Sequence, residues 1–350
     1  MPAVARLLRS FAPVVLSGVL SALAGPSYAQ DLPTEIRIAV PDLSAGTDHS
    51  GGGVVDVLRD QQLLEKEFAA DGIKVQWLFF KGAGPVINEA LANGQVDFAY
   101  LGDLAAIIGK ASGLDTRLLS GAARRVKSYL GVVPGSGVKT LEDLKGKQVA
   151  VFRGTASQLS FDAALASRGL SERDLKVVNL DFSAANAALA ARQIDATWGN
   201  AGLIALRERG LAELPLSTAD LGGAGDLQGV LVGTGQFIDH YPQVTERLLR
   251  AQQQALNWLA QPGHKQAYVE LVSRLANYPA VILATDVEGE DFSRQFDPKL
   301  DQDFLGRLQT AVDFAGQQRL IRAPFQVTEW AQPRFLDAAL QASGAAQAAR

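Results

Sequence analysis

Three strand-to-helix turns carry the residue types best suited to hold an anion: Lys81-Gly82-Ala83-Gly84-Pro85, Leu101-Gly102-Asp103 and Arg153-Gly154-Thr155-Ala156-Ser157. Each sets small residues and backbone N–H groups where a helix is expected to begin. The first N–H groups of a helix lack an intrahelical acceptor, and the helix dipole favours negative charge beside them. One such turn is an ordinary loop; recurrence at equivalent places in two halves of the chain points to a shared site.

Catalytic and metal-binding arrangements fail on spacing or residue type. No serine sits in a Gly-x-Ser-x-Gly elbow, and Ser157 is flanked at two residues by Thr155 and Leu159. Leu141 to Lys147 resembles the end of a phosphate loop, but Gln148 stands where serine or threonine is required. The chain has no cysteine, and its three histidines, His49, His240 and His264, fall singly. Zinc ribbons, thiolate chemistry and disulfides are excluded on that ground. Asp297, Asp301 and Asp303 lack the glycine and terminal glutamate of an EF-hand loop. The residues therefore call for no catalytic group, no metal and no cofactor.

The elements that position these turns alternate. Strands are expected at Ile36 to Val40, Ile73 to Phe80, Val96 to Leu101 and Thr116 to Ser120, and helices at Val54 to Phe68, Val86 to Ala92 and Leu104 to Ala111. A second cycle gives strands at Tyr129 to Val133, Gln148 to Phe152, Leu175 to Leu180 and Ile194 to Trp198. Between them come a short helix at Thr140 to Leu144 and helices at Ala156 to Arg168 and Ala184 to Arg192. After a strand at Leu227 to Val232 the pattern turns helical, at Pro242 to Ala260, His264 to Ala276 and Asp301 to Phe314, and the alanine-rich end from Ala338 to Arg350 is expected to fray. Two α/β units with mainly parallel sheets, joined by crossovers near Ala123 to Val133 and Gln228 to Gly233, leave a cleft between them.

The chain has 350 residues, 33 Lys+Arg and 37 Asp+Glu, for a formal charge of −4, so it lacks the basic excess of a nucleic-acid binder. Residues 1–29 read as a signal peptide: Arg6 and Arg9, an apolar stretch from Phe11 to Ala24, then Ser27-Tyr28-Ala29. Cleavage after Ala29 removes two basic residues and takes the charge to about −6. The expected location is the periplasm.

Three blocks, ALANGQVDFAYLGD (Ala90 to Asp103), LEDLKGKQVAVFRGT (Leu141 to Thr155) and LAARQIDATW (Leu189 to Trp198), resemble the periplasmic substrate-binding proteins of ABC importers. The aliphatic sulfonate, taurine and nitrate branch is the most similar. The resemblance runs from about Ile36 to about Ala260 in order and spacing. It implies an α/β, two-lobed type II binding-protein fold, with lobe 1 discontinuous over residues 30–122 and 232–350 and lobe 2 over residues 123–231.

By motif position the resemblance puts Gly102 and Asp103 on the first-lobe wall, and Gly154, Thr155 and Ser157 at the second-lobe helix start. It puts Trp198 against the apolar part of a ligand. Thr155 and Ser157 can donate to a sulfonate oxygen, and Asp103 either accepts from a ligand ammonium or caps its helix. The turn holding Gly84 joins this set. The Asp42 to Gly53 loop is longer and richer in glycine than the family pattern; it should face the cleft, where Asp48 and His49 either touch ligand or stay solvated. Arg124, Arg125 and Lys127 crowd the first crossover and either draw an anion inward or form a solvated hinge.

The resulting expectation is a monomeric, extracytoplasmic, non-enzymatic binding protein. It takes a small sulfonate or related organic anion and hands it to the transmembrane subunits of an ABC permease. The alternatives are a nitrate or heterocyclic-nutrient binder, or a sensing module on the same fold. Enzymatic relatives, a desulfinase and a thiamine-pyrimidine synthase, rely on cysteine, which this chain lacks.

Overall fold

The computed structural model describes residues 32–348; the expected signal peptide lies outside them. Ten strands form two five-stranded sheets. The strands are β1 (Glu35–Pro41), β2 (Lys74–Phe80), β3 (Phe98–Gly102), β4 (Thr116–Val126), β5 (Tyr129–Val132), β6 (Gln148–Val151), β7 (Lys176–Asn179), β8 (Ala196–Gly199), β9 (Glu213–Ser217) and β10 (Leu227–Thr234). The helices are α1 (Gly53–Asp60), α2 (Leu63–Phe68), α3 (Ala83–Ala92), α4 (Asp103–Ala111), α5 (Ala156–Ala166), α6 (Phe182–Ala190), α7 (Gly202–Glu208) and α8 (Gly235–His240). They continue with α9 (Pro242–Leu259), α10 (Lys265–Ala276), α11 (Ala280–Asp286), α12 (Phe292–Gln295), α13 (Gln302–Gln317), α14 (Val327–Trp330) and α15 (Pro333–Ala348).

The first sheet has the order β2-β1-β3-β10-β4 and the second β7-β6-β8-β5-β9. Both are mixed. In the first, β10 runs antiparallel to β3 and β4; in the second, β5 runs antiparallel to β8 and β9. The expectation of mainly parallel sheets holds for the β2-β1-β3 and β7-β6-β8 runs. It misses the single reversed strand that each sheet receives from a crossing segment. Strand β4, expected to stop at Ser120, continues to Val126, where it pairs with Leu227 at the start of β10. Only Lys127 and Ser128 then separate it from β5 in the other sheet.

Period-two alternation sorts the first sheet into two faces. Ile36, Ile38, Val40, Phe98 and Tyr100 pack with apolar residues of α1, α2, α9, α10 and α15. Ala39, Ala99 and Leu101 point the other way, against α3, α4 and α13. Strands with both faces covered read as near-continuous apolar runs, which is why β1 and β3 are legible in the sequence. The second sheet is covered by α5 on one face, through Phe161 and Leu165, and by α6 and α7 on the other, through Leu189 and Leu203.

Several elements differ from expectation. The single helix expected over Val54 to Phe68 is two, broken at Gln62, whose φ of 53° is left-handed. The turn lets Val57 and Leu58 of α1 and Leu64 and Phe68 of α2 reach the same core. The Thr140 to Leu144 helix is one 3-10 turn at Glu142–Leu144. Helix α7 and strand β9 were not expected; Pro215 disguises β9, and an edge strand tolerates its missing donor. The alanine-rich end is helical to Ala348 within α15.

Phe161 and Trp198 are both fully buried in the second-sheet core, with ring centroids 5.6 Å apart. Phe161→Ala is expected to cost about 3–5 kcal/mol, measured by urea denaturation; a loss below about 1 kcal/mol would show that this core does not hold the second sheet to its helices.

Candidate functional site

The carboxyl ends of β1, β3 and β8 and the starts of α1, α3, α4, α5 and α7 converge on a cavity of about 350 Å³ between the two sheets. This is where ligands bind in open α/β sheets. The crossing strands contribute its floor, through residues such as Ala123 and Gly229. A further wall comes from α10 to α12, including Tyr268, Leu283 and Phe296.

The two halves touch directly at glycines. A Cβ on Gly102, at the end of β3, would lie 2.5 Å from the Ala156 Cβ at the start of α5. One on Gly84 would lie 2.2 Å from the Ala105 Cβ and 3.5 Å from the Gly154 carbonyl oxygen. Only glycine allows this approach, so the starts of α3, α4 and α5 meet at one junction. At a second junction, the Tyr278 hydroxyl lies 3.2 Å from where a Cβ on Gly202 would stand, and the Tyr129 hydroxyl donates to Asp286 Oδ1 at 2.9 Å.

Helices α1, α3, α4, α5 and α7 begin on this cavity without a hydrogen bond from an N-cap side chain. By contrast, α8 and α13 are capped by Thr234 and Asp301, and α6, whose Phe182 reaches the cavity, by Asp181. The uncapped starts are not equivalent. At α1 the donors are used internally only in part: Gly51 N and Gly52 N, ahead of the helix, donate to the Asp56 carboxylate, and Gly53 N donates to the Tyr268 hydroxyl. At α7, Gly202 N donates to Asn200 Oδ1. The starts of α3 and α5 have first-turn N–H groups without a partner among the described residues, at Ala83 and Gly84 and at Ala156 and Ser157. Ala83 holds a φ of 48°, a strained conformation for a residue with a Cβ.

Of the residues expected at the site, Gly84, Gly102, Thr155 and Ser157 lie on the cavity wall. Their roles differ from expectation. Thr155 Oγ1 donates to the Phe152 carbonyl at 2.6 Å, and Ser157 Oγ to the Trp198 carbonyl at 3.3 Å, so both hydroxyl protons go to backbone. The available donors at this helix start are backbone N–H groups. Gly154 stands behind the wall, its N–H donating to Gln158 Oε1. Trp198 is in the core, its indole N–H donating to Ser160 Oγ at 2.8 Å, because alternation along β8 turns it away from the cleft.

Asp103 also lies off the wall. It is buried and accepts from Leu104 N at 2.7 Å and Gln228 N at 2.9 Å, so it ties α4 to β10 and faces no ligand. Burial pushes its carboxyl up to about 7 despite these two bonds. The Asp42 to Gly53 loop reaches the cavity only through Leu43 and Ser50 to Gly53. His49 turns to the surface, bonded to Asp42 at 2.9 Å and stacked on Phe79. Asp48 is exposed and off the wall.

The cations at the crossover are paired. Arg124 bonds to Asp301 at 2.9 Å, Arg125 to Asp303 at 3.3 Å and Lys127 to Glu290 at 2.9 Å. Lys127 alone among them lines the cavity. The carboxylate on the wall is Asp286; burial pushes its carboxyl above the usual range, and the bond from Tyr129 offsets that in part. Tyr278, Asp286 and Gln295 were not expected at the site. They fall in the stretch from Asn277 to Leu300, where no helical or strand period stands out, and only the Asn277-Tyr278-Pro279 turn marks a change of direction.

The sequence matches the NMT1/THI5-like family over residues 68–264, more than half of its length. The chain belongs to this family. A protein of Escherichia coli K12 provisionally named an aliphatic sulfonates-binding protein is 30% identical over 190 residues, which cover 54% of this chain and 56% of that one. That match spans little more than half the length of the relative. Among solved structures, a protein of Methylobacillus flagellatus KT provisionally described as the periplasmic sulfonate-binding protein SsuA superposes with a TM-score of 0.75 at 28% identity, covering 89% of this chain and 94% of that one. The alkanesulfonate-binding protein SsuA of Xanthomonas axonopodis pv. citri, bound to MOPS, gives a TM-score of 0.72 at 22% identity, with 86% and 99% covered. The fold of this NMT1/THI5-like protein is thus the two-sheet α/β fold of periplasmic binding proteins.

The burial of Asp103 makes stability pH-dependent in a stated direction. Its folded carboxyl is raised from an ordinary value of 3.8 to about 7, so its contribution is fully present below the lower value and lost as pH rises through the upper one. The stability of the wild type relative to Asp103→Asn is expected to fall between pH 4 and pH 7 in denaturant titrations; a flat or rising difference would show that Asp103 is ionised in the fold.

Proposed function

We propose that this chain is the extracytoplasmic solute-binding component of an ABC importer and binds an organosulfonate between its two sheets. The observation that carries the reading is the pairing of two uncapped helix starts, at α3 and α5, with a cavity whose wall is otherwise largely apolar. The N–H groups suit the sulfonate oxygens, and Leu283 and Phe296 suit an alkyl or ring body. The sulfonate-binding relatives named above support the same class.

Each half of the chain supplies one of the two helix starts, so a ligand held by both draws them together, and the Gly102–Ala156 contact is the closed form of that motion. A nitrate ion would use the N–H groups and leave the apolar wall unfilled, which favours the larger organic anion. The role is binding without turnover. Export by the N-terminal signal, a periplasmic location, a monomeric state and delivery to permease subunits belong to the same proposal.

In titration calorimetry, 1-hexanesulfonate is expected to bind saturably and nitrate not to bind. Gly102→Ala, which obstructs the close approach to Ala156, is expected to weaken hexanesulfonate binding roughly ten- to hundredfold, as overpacking by one methyl group costs about 1–3 kcal/mol. Binding of nitrate without hexanesulfonate, or unchanged affinity in Gly102→Ala, would overturn the reading.

A further inference from the structure

A second cleft, of about 540 Å³, lies between the two halves and shares no lining residue with the ligand cavity. Gln158 and Asp162 of α5, with Glu172, form one wall, and residues 317–320 at the end of α13 form the other. We propose that this cleft is a proton-linked latch: closure of the two halves takes up a proton at the Asp162–Glu172 carboxyl pair, so falling pH favours the closed form. The latch requires the closing motion proposed above, and no particular ligand.

Position is the first ground. Leu159 of α5 is buried in the core of the first sheet, in the cluster that holds Leu308 and Val312 of α13. Asp162 follows it by three residues and so faces the same way. It is 7% exposed and lines the cleft opposite the end of α13. Opening the halves withdraws α13 and lets water reach this carboxyl; closing them dries it again.

Charge is the second ground. Arg153 donates to Glu172 Oε2 at 2.5 Å, and Gln158 Nε2 donates to Glu172 Oε1 at 3.1 Å. The Asp162 carboxyl meets that of Glu172. Two carboxyl groups in contact hold one proton between them more readily than two negative charges. Burial first, and Glu172 second, push the Asp162 carboxyl up to about 7, with Arg153 opposing in part. Arg173 and Arg319 are the other charged groups on these walls, and of the three cations only Arg153 acts on Asp162.

Gln158 joins this pair to the ligand turn. Its Oε1 accepts from Gly154 N at 2.9 Å while its Nε2 holds Glu172, so one side chain touches both the turn that begins α5 and the proton-holding pair. A proton held more tightly in the closed form favours that form. The closed-to-open ratio therefore rises as pH falls towards 6 and drops as pH rises past 7.

The chain has no cysteine, so nitroxide labels attach only at Lys74→Cys on β2 and Lys176→Cys on β7, exposed positions on an outer strand of each sheet. Distances between the labels are measured by pulsed electron paramagnetic resonance on the full chain without ligand. The ratio of short- to long-distance populations is expected to be about three- to tenfold higher at pH 6 than at pH 8.5, and Asp162→Asn to remove that change. Should Asp162→Asn not fold, Asp162→Ser, which also cannot titrate, is read instead. A ratio indifferent to pH, or a pH response that survives loss of the carboxyl, overturns the latch. Calorimetry with 1-hexanesulfonate is a separate readout, with binding expected to be about threefold or more weaker at pH 8.5 than at pH 6; equal affinity at both also overturns the latch. Failure of hexanesulfonate to bind at either pH removes the sulfonate reading alone, because the label distances are read without it.

Discussion

Helices must begin somewhere, and their first N–H groups need an acceptor. In this chain α3 and α5 begin at the mouth of a cavity with no side chain to meet them. The rest of the structure serves that constraint. Strands β2 and β6 lead into these helix starts, and Gly84 and Gly102 let opposite halves approach to backbone distance. Elsewhere the same need is met internally, by the Tyr268 hydroxyl for Gly53 N of α1 and by Asp301 for Phe304 N of α13. The contrast between satisfied and unsatisfied starts is what marks the site.

Electrostatics reinforces the division. Basic residues near the crossing strands are each paired and hold segments together, and Lys127 on the cavity wall acts on both Glu290 and Asp286. The formal charge of −4 is then no obstacle to an anionic ligand, because the attraction resides in oriented backbone dipoles. The wall built by α10 to α12 has the opposite character, apolar with one carboxylate and one unpaired amide. Two ends of different chemistry in one cavity make orientation part of recognition.

Much of this was legible in the sequence, for identifiable reasons. Strands β1 and β3 and the turns at Gly84, Gly102 and Gly154 read clearly because buried strands are continuous apolar runs and glycines mark where backbone must approach. The reversed strands, β5 and β10, were read as strands, but direction leaves no trace in composition. Trp198 and Asp103 misled because residue type says what a side chain can do and not which way it points. One register position along β8 separates the core from the cleft. Asp286 and Gln295 went unread because α11 and α12 are too short for a helical period to stand out.

The central claim is that backbone N–H groups at the start of α5 hold the anion. Amide resonances of Ala156 and Ser157 in the isotope-labelled protein, followed by NMR as 1-hexanesulfonate is added, test it most directly. The account predicts slowed exchange with solvent and large shifts at these two amides, with little change at the internally bonded amides of Gly51 and Gly52. Saturable binding that leaves Ala156 and Ser157 unshifted would contradict it.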